Sequence, residues 1–258
     1  MLLNEIIQMK QYPITERAFH EHCKNVLDED GALVLPDFLS LEAIQRVVAE
    51  GNKKKPLAYF SKDDHNVYLK PTDMDFPLEH PRNQSVQSSK GCITDDQISQ
   101  GSPLRALYDA QEFRAFLAAV LGEDELFNYA DSLSSINLHY ASEGQELGWH
   151  FDESSFAITL LLQSPEQGGE FEYIENMRDA DSGEMNYQGV AEVLAGHRES
   201  KTLTTGPGTL VLFRGRNAMH RVTPVVGDVT RMLVVLAYNS KPDVALSESA
   251  RMTFYGRL

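Results

Sequence analysis

Apolar residues recur at helical spacing through the first half of the chain and at strand spacing through the second. After Pro13, Thr15 is a plausible N-cap, and Phe19, Cys23, Val26 and Leu27 then fall on one face of a helix. Gly31-Ala-Leu-Val-Leu-Pro-Asp-Phe reads as a turn and a short strand. Ser40 can cap a second helix whose apolar face is Leu41, Ile44, Val47 and Val48. A third is predicted over 104–120, with Leu107, Phe113, Phe116, Leu117 and Val120 inward. Between them, 51–101 is polar and without period. A structureless loop that long is unusual in a compact domain, so the stretch is either functional or holds elements the pattern hides.

After Gly122 the period changes. Ser135–Tyr140, Gly148–Asp152, Phe156–Gln163, Glu170–Ile174, Thr209–Arg214, His220–Val225 and Met232–Tyr238 are short segments rich in β-branched or aromatic residues. Gly168-Gly169 and Gly206-Pro207-Gly208 punctuate them. A polar insertion over 175–200 contains a possible short helix around Val190–Leu194. Strands at this spacing predict a mainly β sandwich or barrel flanked by helices. We read 1–258 as one domain, with helical support over about 1–122 and a β core over about 123–258.

Composition removes several function classes. Twenty-three Lys+Arg against 38 Asp+Glu leave a net charge of −15, a surface that repels phosphate backbones and anionic lipid. No apolar run reaches the roughly 18–20 residues of a membrane span. The first residues lack a basic region and a small-residue cleavage site, so no signal peptide is expected. Cys23 and Cys92 form no CxxC pair, and we expect two unrelated thiols in a reducing cytoplasm.

The chemistry concentrates in Gly148-Trp-His-Phe-Asp-Glu-Ser-Ser-Phe. On a strand, His150 and Asp152 point to the same face. With a second histidine, His220 on a later strand, they would make a facial triad for a divalent transition metal. His-x-Asp alone is weak, and hydrogen-bonded sheet histidines would give the same spacing. Arg231 adds weight, since it opens an otherwise apolar strand. Facing inward it needs an anion, and a guanidinium fork suits a carboxylate; facing outward it is a strand-end residue reaching solvent. A metal triad with a carboxylate anchor suggests a dicarboxylate cosubstrate that chelates the metal.

These segments resemble the Fe(II)/2-oxoglutarate-dependent dioxygenases: His-x-Asp, a distal His, then an Arg, in that order. The resemblance runs from about residue 25 to 258 and is strongest over 136–239. It implies a double-stranded β-helix, the jelly-roll or cupin-like fold, with Fe(II), 2-oxoglutarate and O2 as reactants. WHFDESSFAITLLLQ, GGEFEY and FRGRNAMHRVTPV look most like the free amino-acid halogenases and hydroxylases related to the lysine halogenases. Chlorinating members have glycine where this chain has Asp152, so the resemblance implies hydroxylation, of a free, even basic, L-amino acid. It implies that His150, Asp152 and His220 bind iron and that Arg231 clamps the distal carboxylate of 2-oxoglutarate. Tyr140 either adds a hydroxyl to the cosubstrate or is a packed aromatic. Glu153 either meets a substrate amine or is solvated, and Asn239 and Tyr238 are placed at the mouth. Arg214 and Arg216 hold a carboxylate or form surface ion pairs, and 51–101 and 175–200 are lid candidates. His139, alternating with Tyr140, reads as structural, and Trp149 as packed between sheet and helix. Two alternatives stay open: the same chemistry on a protein side chain or other small molecule, and a non-catalytic metal-binding jelly roll.

Overall fold

The structure, a computed structural model, describes residues 1–258. The N-terminal part supplies α1 (Leu3–Ile6), α2 (Arg17–Asp30), strand β1 (Ala32–Leu35) and α3 (Leu41–Lys54). Gly31, at φ 67°, ends α2 in the left-handed conformation and donates its N–H to the Leu27 carbonyl. Ser40 caps α3, its hydroxyl accepting from the Ala43 N–H at 3.2 Å.

The polar stretch 51–101 is not one loop. It folds into a hairpin, β2 (Tyr59–Asn66) and β3 (Ser85–Ile93), paired over their length. The helix predicted over 104–120 is broken into α4 (Pro103–Asp109) and α5 (Gln111–Leu121), because Ala110 takes an extended conformation, φ −66° and ψ 122°. The β core follows with β4 (Ile136–Ala141), β5 (Leu147–His150), β6 (Ala157–Gln163), β7 (Gln167–Gly168) and β8 (Phe171–Ile174). Then come α6 (Tyr187–Leu194), β9 (Lys201–Leu203), β10 (Leu210–Phe213), β11 (Met219–Val222), β12 (Val225–Val226), β13 (Arg231–Leu236) and α7 (Glu248–Tyr255). Each of the seven predicted strands is present, within two residues or so at its ends.

The main sheet runs β1-β10-β6-β13-β4-β3-β5-β11-β8-β9, with β2 also on β3, and every pairing is antiparallel. It is a nearly closed barrel with flanking helices, a jelly roll, in which β3 joins both halves: Gly91 pairs with Tyr140 of β4, and Ser88 with Leu147 of β5.

Alternation assigns each strand residue to one of two environments. On one face of β4, β6, β10 and β13, Ile136, Leu138, Tyr140, Ile158, Leu160, Leu210, Leu212, Met232 and Val234 pack against Leu27, Val47, Phe113 and Phe116 of the helices. Outside the other half, Trp149, Phe151, Ile174 and Met219 meet Val190 and Val193 of α6. Trp149 therefore lies between sheet and helix. The inner faces of the two halves turn toward each other and enclose the cavity that holds the site.

Candidate active site

His150 and His220 are direct cross-strand partners on β5 and β11, and their rings lie 4.2 Å apart between centroids. Asp152 sits just beyond the end of β5, where its N–H donates to the Gly215 carbonyl at 3.1 Å. Its Oδ1 lies 3.5 Å from Nε2 of His220 and 4.0 Å from Nε2 of His150. One ligand atom from each of the three residues fits within a 4.8 Å group. Nδ1 of His150 is 2.7 Å from the Gly148 carbonyl, and Nδ1 of His220 is 3.0 Å from that of Ala218. Each backbone oxygen can take the Nδ1 proton, which leaves the Nε2 lone pair facing the group's centre.

The electrostatics agree. Burial and the neighbouring His220 push the His150 imidazolium far below its ordinary range, so the ring stays neutral and able to ligate. Burial works to raise the Asp152 carboxyl, but His220, then His150 and Lys90, outweigh it and hold it low. Asp152 Oδ2 is buried with no hydrogen-bond partner. An orphaned carboxylate oxygen beside two imidazole Nε2 atoms is the donor set of a two-His, one-carboxylate metal site, and it fits Fe(II).

Two supports were not recognised from the sequence. A Cβ on Gly215 would stand 1.9 Å from Asp152 Oδ2, so the carboxylate occupies the space a side chain would fill. Arg178 donates from Nε to the Arg216 carbonyl at 2.7 Å and from Nη2 to the Asp152 carbonyl at 3.1 Å. Its guanidinium also lies over the Phe151 ring, 4.3 Å from the centroid, and so ties the Asp152 turn to the 215–217 turn. The glycine in Phe-Arg-Gly-Arg was a visible signal; nothing near Arg178 was. Phe171 stacks on His220 and Phe213 meets it edge-on, fixing the imidazole plane.

The cavity beside the triad measures about 300 Å³ and is mostly apolar. Arg231 lines it, is only 8% exposed and has no ionic partner in the chain. Burial alone lowers its pKa to about 10. Gly169, at φ 64°, makes room for it: a Cβ there would stand 2.9 Å from Arg231 Cδ.

The other predicted residues fare differently. Tyr140 turns its ring into the helix-backed core and donates its hydroxyl to the Gly51 carbonyl at 2.8 Å, so the packed alternative holds and no hydroxyl is free for a cosubstrate. His139, not Tyr140, shares its face with Leu233 of β13, and it too lines the cavity. Burial, Lys90 and Arg231 hold it neutral. Glu153 is exposed, ion-paired with Lys70, and not among the residues that line the cavity. Asn239 pairs with Phe127 beyond the end of β13 and is not a cavity-lining residue, whereas Tyr238 is. Arg214 and Arg216 bind Asp28 and Asp181 at 2.8 and 2.9 Å as partly exposed ion pairs. Replacing Tyr140 by Phe should cost about 1 kcal/mol of stability, the worth of one buried hydrogen bond. It should leave the KM for 2-oxoglutarate unchanged; melting and a KM determination check both.

The jelly roll with this triad at its inner face is the fold of the 2OG-Fe(II) oxygenases. A 2OG-Fe(II) oxygenase family oxidoreductase from Burkholderia pseudomallei matches at 14% identity and TM-score 0.54, over 87% of this chain and 92% of that one. The non-heme alpha ketoglutarate dependent carbocyclase SnoK from nogalamycin biosynthesis matches at 12% identity and TM-score 0.59, over 92% of each chain. The epimerase SnoN, in complex with Fe3+, alpha ketoglutarate and nogalamycin RO, matches at 14% identity and TM-score 0.58, over 86% of this chain and 84% of that one. The chain belongs to the Halogenase D family, whose model matches residues 14–254. No curated protein matches it in sequence. No helix is long and apolar enough to cross a membrane.

Proposed function

We propose that this protein is an Fe(II)/2-oxoglutarate-dependent hydroxylase of a free amino acid. The observation that carries the reading is the Asp152 carboxylate, present at the triad with an unpartnered Oδ2. Chlorination needs a coordination position open to halide; here a carboxylate fills it, so the family's name does not decide the reaction. His150, Asp152 and His220 would hold the metal, which would bring 2-oxoglutarate and oxygen together beside the cavity. Arg231 receives the distal carboxylate of 2-oxoglutarate, which turns a desolvated, unpaired cation into a bidentate pair. When bound, iron and 2-oxoglutarate supply the oxidising power that cleaves an unactivated C–H bond with O2. The protein's share is to orient both reactants and to keep water out with Phe171, Phe213, Leu161 and Leu233.

The test is succinate formation from 2-oxoglutarate with Fe(II) and O2 across a panel of free L-amino acids, with product mass measured. A product heavier by one oxygen is expected; a chlorinated product, or metal binding without succinate, would sink the reading. Arg231→Gln should raise the KM for 2-oxoglutarate about 100-fold, the cost of losing a buried charge pair, while iron binding persists.

A further inference from the structure

Four charged side chains line the cavity: Lys90, Glu146, Asp152 and Arg231. On the proposed reading, Asp152 serves the metal and Arg231 the cosubstrate. Lys90 and Glu146 are left over, and neither makes a side-chain hydrogen bond or ion pair; the Lys90 ammonium has only the Phe254 ring, 5.7 Å away. Lys90 also lines a second cavity of about 190 Å³ under α7, with His139, Tyr129 and Ala237 common to both. It is strongly desolvated, which works against its own charge. A desolvated lysine with no hydrogen-bonded or ion-paired partner in such a place is a binding group in waiting.

Register separates it from the cosubstrate anchor. Gly91 and Met232 both pair with Tyr140 from opposite sides of β4. Lys90 and Arg231, each one residue further toward the same end, flank Ala141 two strand spacings apart, about 10 Å. Arg231 lies against Gly169, and the Lys90 ammonium faces the Phe254 ring of α7, so we assign them to two anion sites.

Charge counting names the ligand. One uncommitted cation and one uncommitted carboxylate match a single zwitterion. A basic amino acid would bring a second ammonium and find no second uncommitted carboxylate among the residues that line the cavity. The remaining wall, Leu147, Leu161, Leu203, Val222 and Val235 among it, is apolar. We propose that Lys90 holds the α-carboxylate of the substrate, and that this substrate is a free α-amino acid with a neutral, apolar side chain. This rests on the hydroxylase reading and replaces the basic substrate that the sequence suggested.

The test uses the iron- and 2-oxoglutarate-loaded enzyme with L-leucine, L-isoleucine, L-valine, L-methionine and L-phenylalanine, their carboxamides, and L-lysine and L-arginine. An apolar amino acid should stimulate succinate formation and its carboxamide should not. Lys90→Met should raise the KM for that amino acid about 100-fold, leave the KM for 2-oxoglutarate unchanged, and raise the melting temperature. Lys90→Arg should recover part of the loss. Equal stimulation by a carboxamide, stimulation by basic amino acids alone, or an unchanged amino-acid KM in Lys90→Met would overturn the proposal. So would a raised KM for 2-oxoglutarate in that variant, or wild-type enzyme that consumes 2-oxoglutarate but responds to no amino acid. Wild type that forms no succinate at all would instead remove the hydroxylase reading beneath it.

Discussion

Asp152→Ala loses metal-dependent turnover by more than about 100-fold, since even residues behind a metal ligand cost 10–100-fold when removed. The two histidines remain as a cross-strand pair, but a facial site with two ligands has lost its only anionic donor. The same substitution should change the melting temperature of the metal-free protein little: neighbours that hold the carboxyl low favour its charge in the fold, while its Oδ2 is buried with no partner. Calorimetric iron titration and metal-free melting, run side by side, check both halves. Iron affinity equal to wild type would show that Asp152 is not a ligand.

Gly215→Ala should remove iron binding as thoroughly, and for a different reason. A Cβ 1.9 Å from Asp152 Oδ2 and 2.6 Å from Cγ cannot coexist with the carboxylate in its present rotamer. Aspartate has only two torsions with which to retreat, and its own N–H is bonded to the Gly215 carbonyl, so the turn and the ligand resist together. Forcing one methyl into so tight a place costs about 1–3 kcal/mol, so this variant should melt clearly lower than Asp152→Ala. Unequal effects on melting with a shared loss of iron separate a ligand from the residue that gives it room. Wild-type iron affinity in Gly215→Ala would show that the carboxylate has another position from which to bind.

Seven strands of the β core were readable because each buries one or both faces and so carries apolar positions, whereas the short β7 and β9, with no buried position, were not. The triad was readable because a strand brings residues two apart to one face, and His150 keeps that promise even though β5 ends before Asp152. The hairpin β2–β3 was not readable: Tyr59–Asn66 is exposed at five of its eight positions, held by backbone pairing and not by burial. The break at Ala110 left no mark because apolar spacing continues across it with neither Gly nor Pro. Tyr140 was a question of parity. Period two reveals that Tyr140 and His139 face opposite ways but not which way is in, because both sides of β4 are covered. The pairing partners settle it, and those lie far along the chain: Met232 beside Tyr140, Leu233 beside His139.

That double coverage has an evolutionary side. Along β6 and β13, Ile158, Leu160, Met232 and Val234 answer to the helices, while Ala157, Thr159, Leu161, Leu233 and Val235 answer to whatever occupies the cavity. Heritable change in one set need not disturb the other. A lineage can therefore drift through new substrates at one parity while selection for a folded chain acts on the next residue along. Diversity among descendants of this scaffold should accumulate at every second position of the same strands.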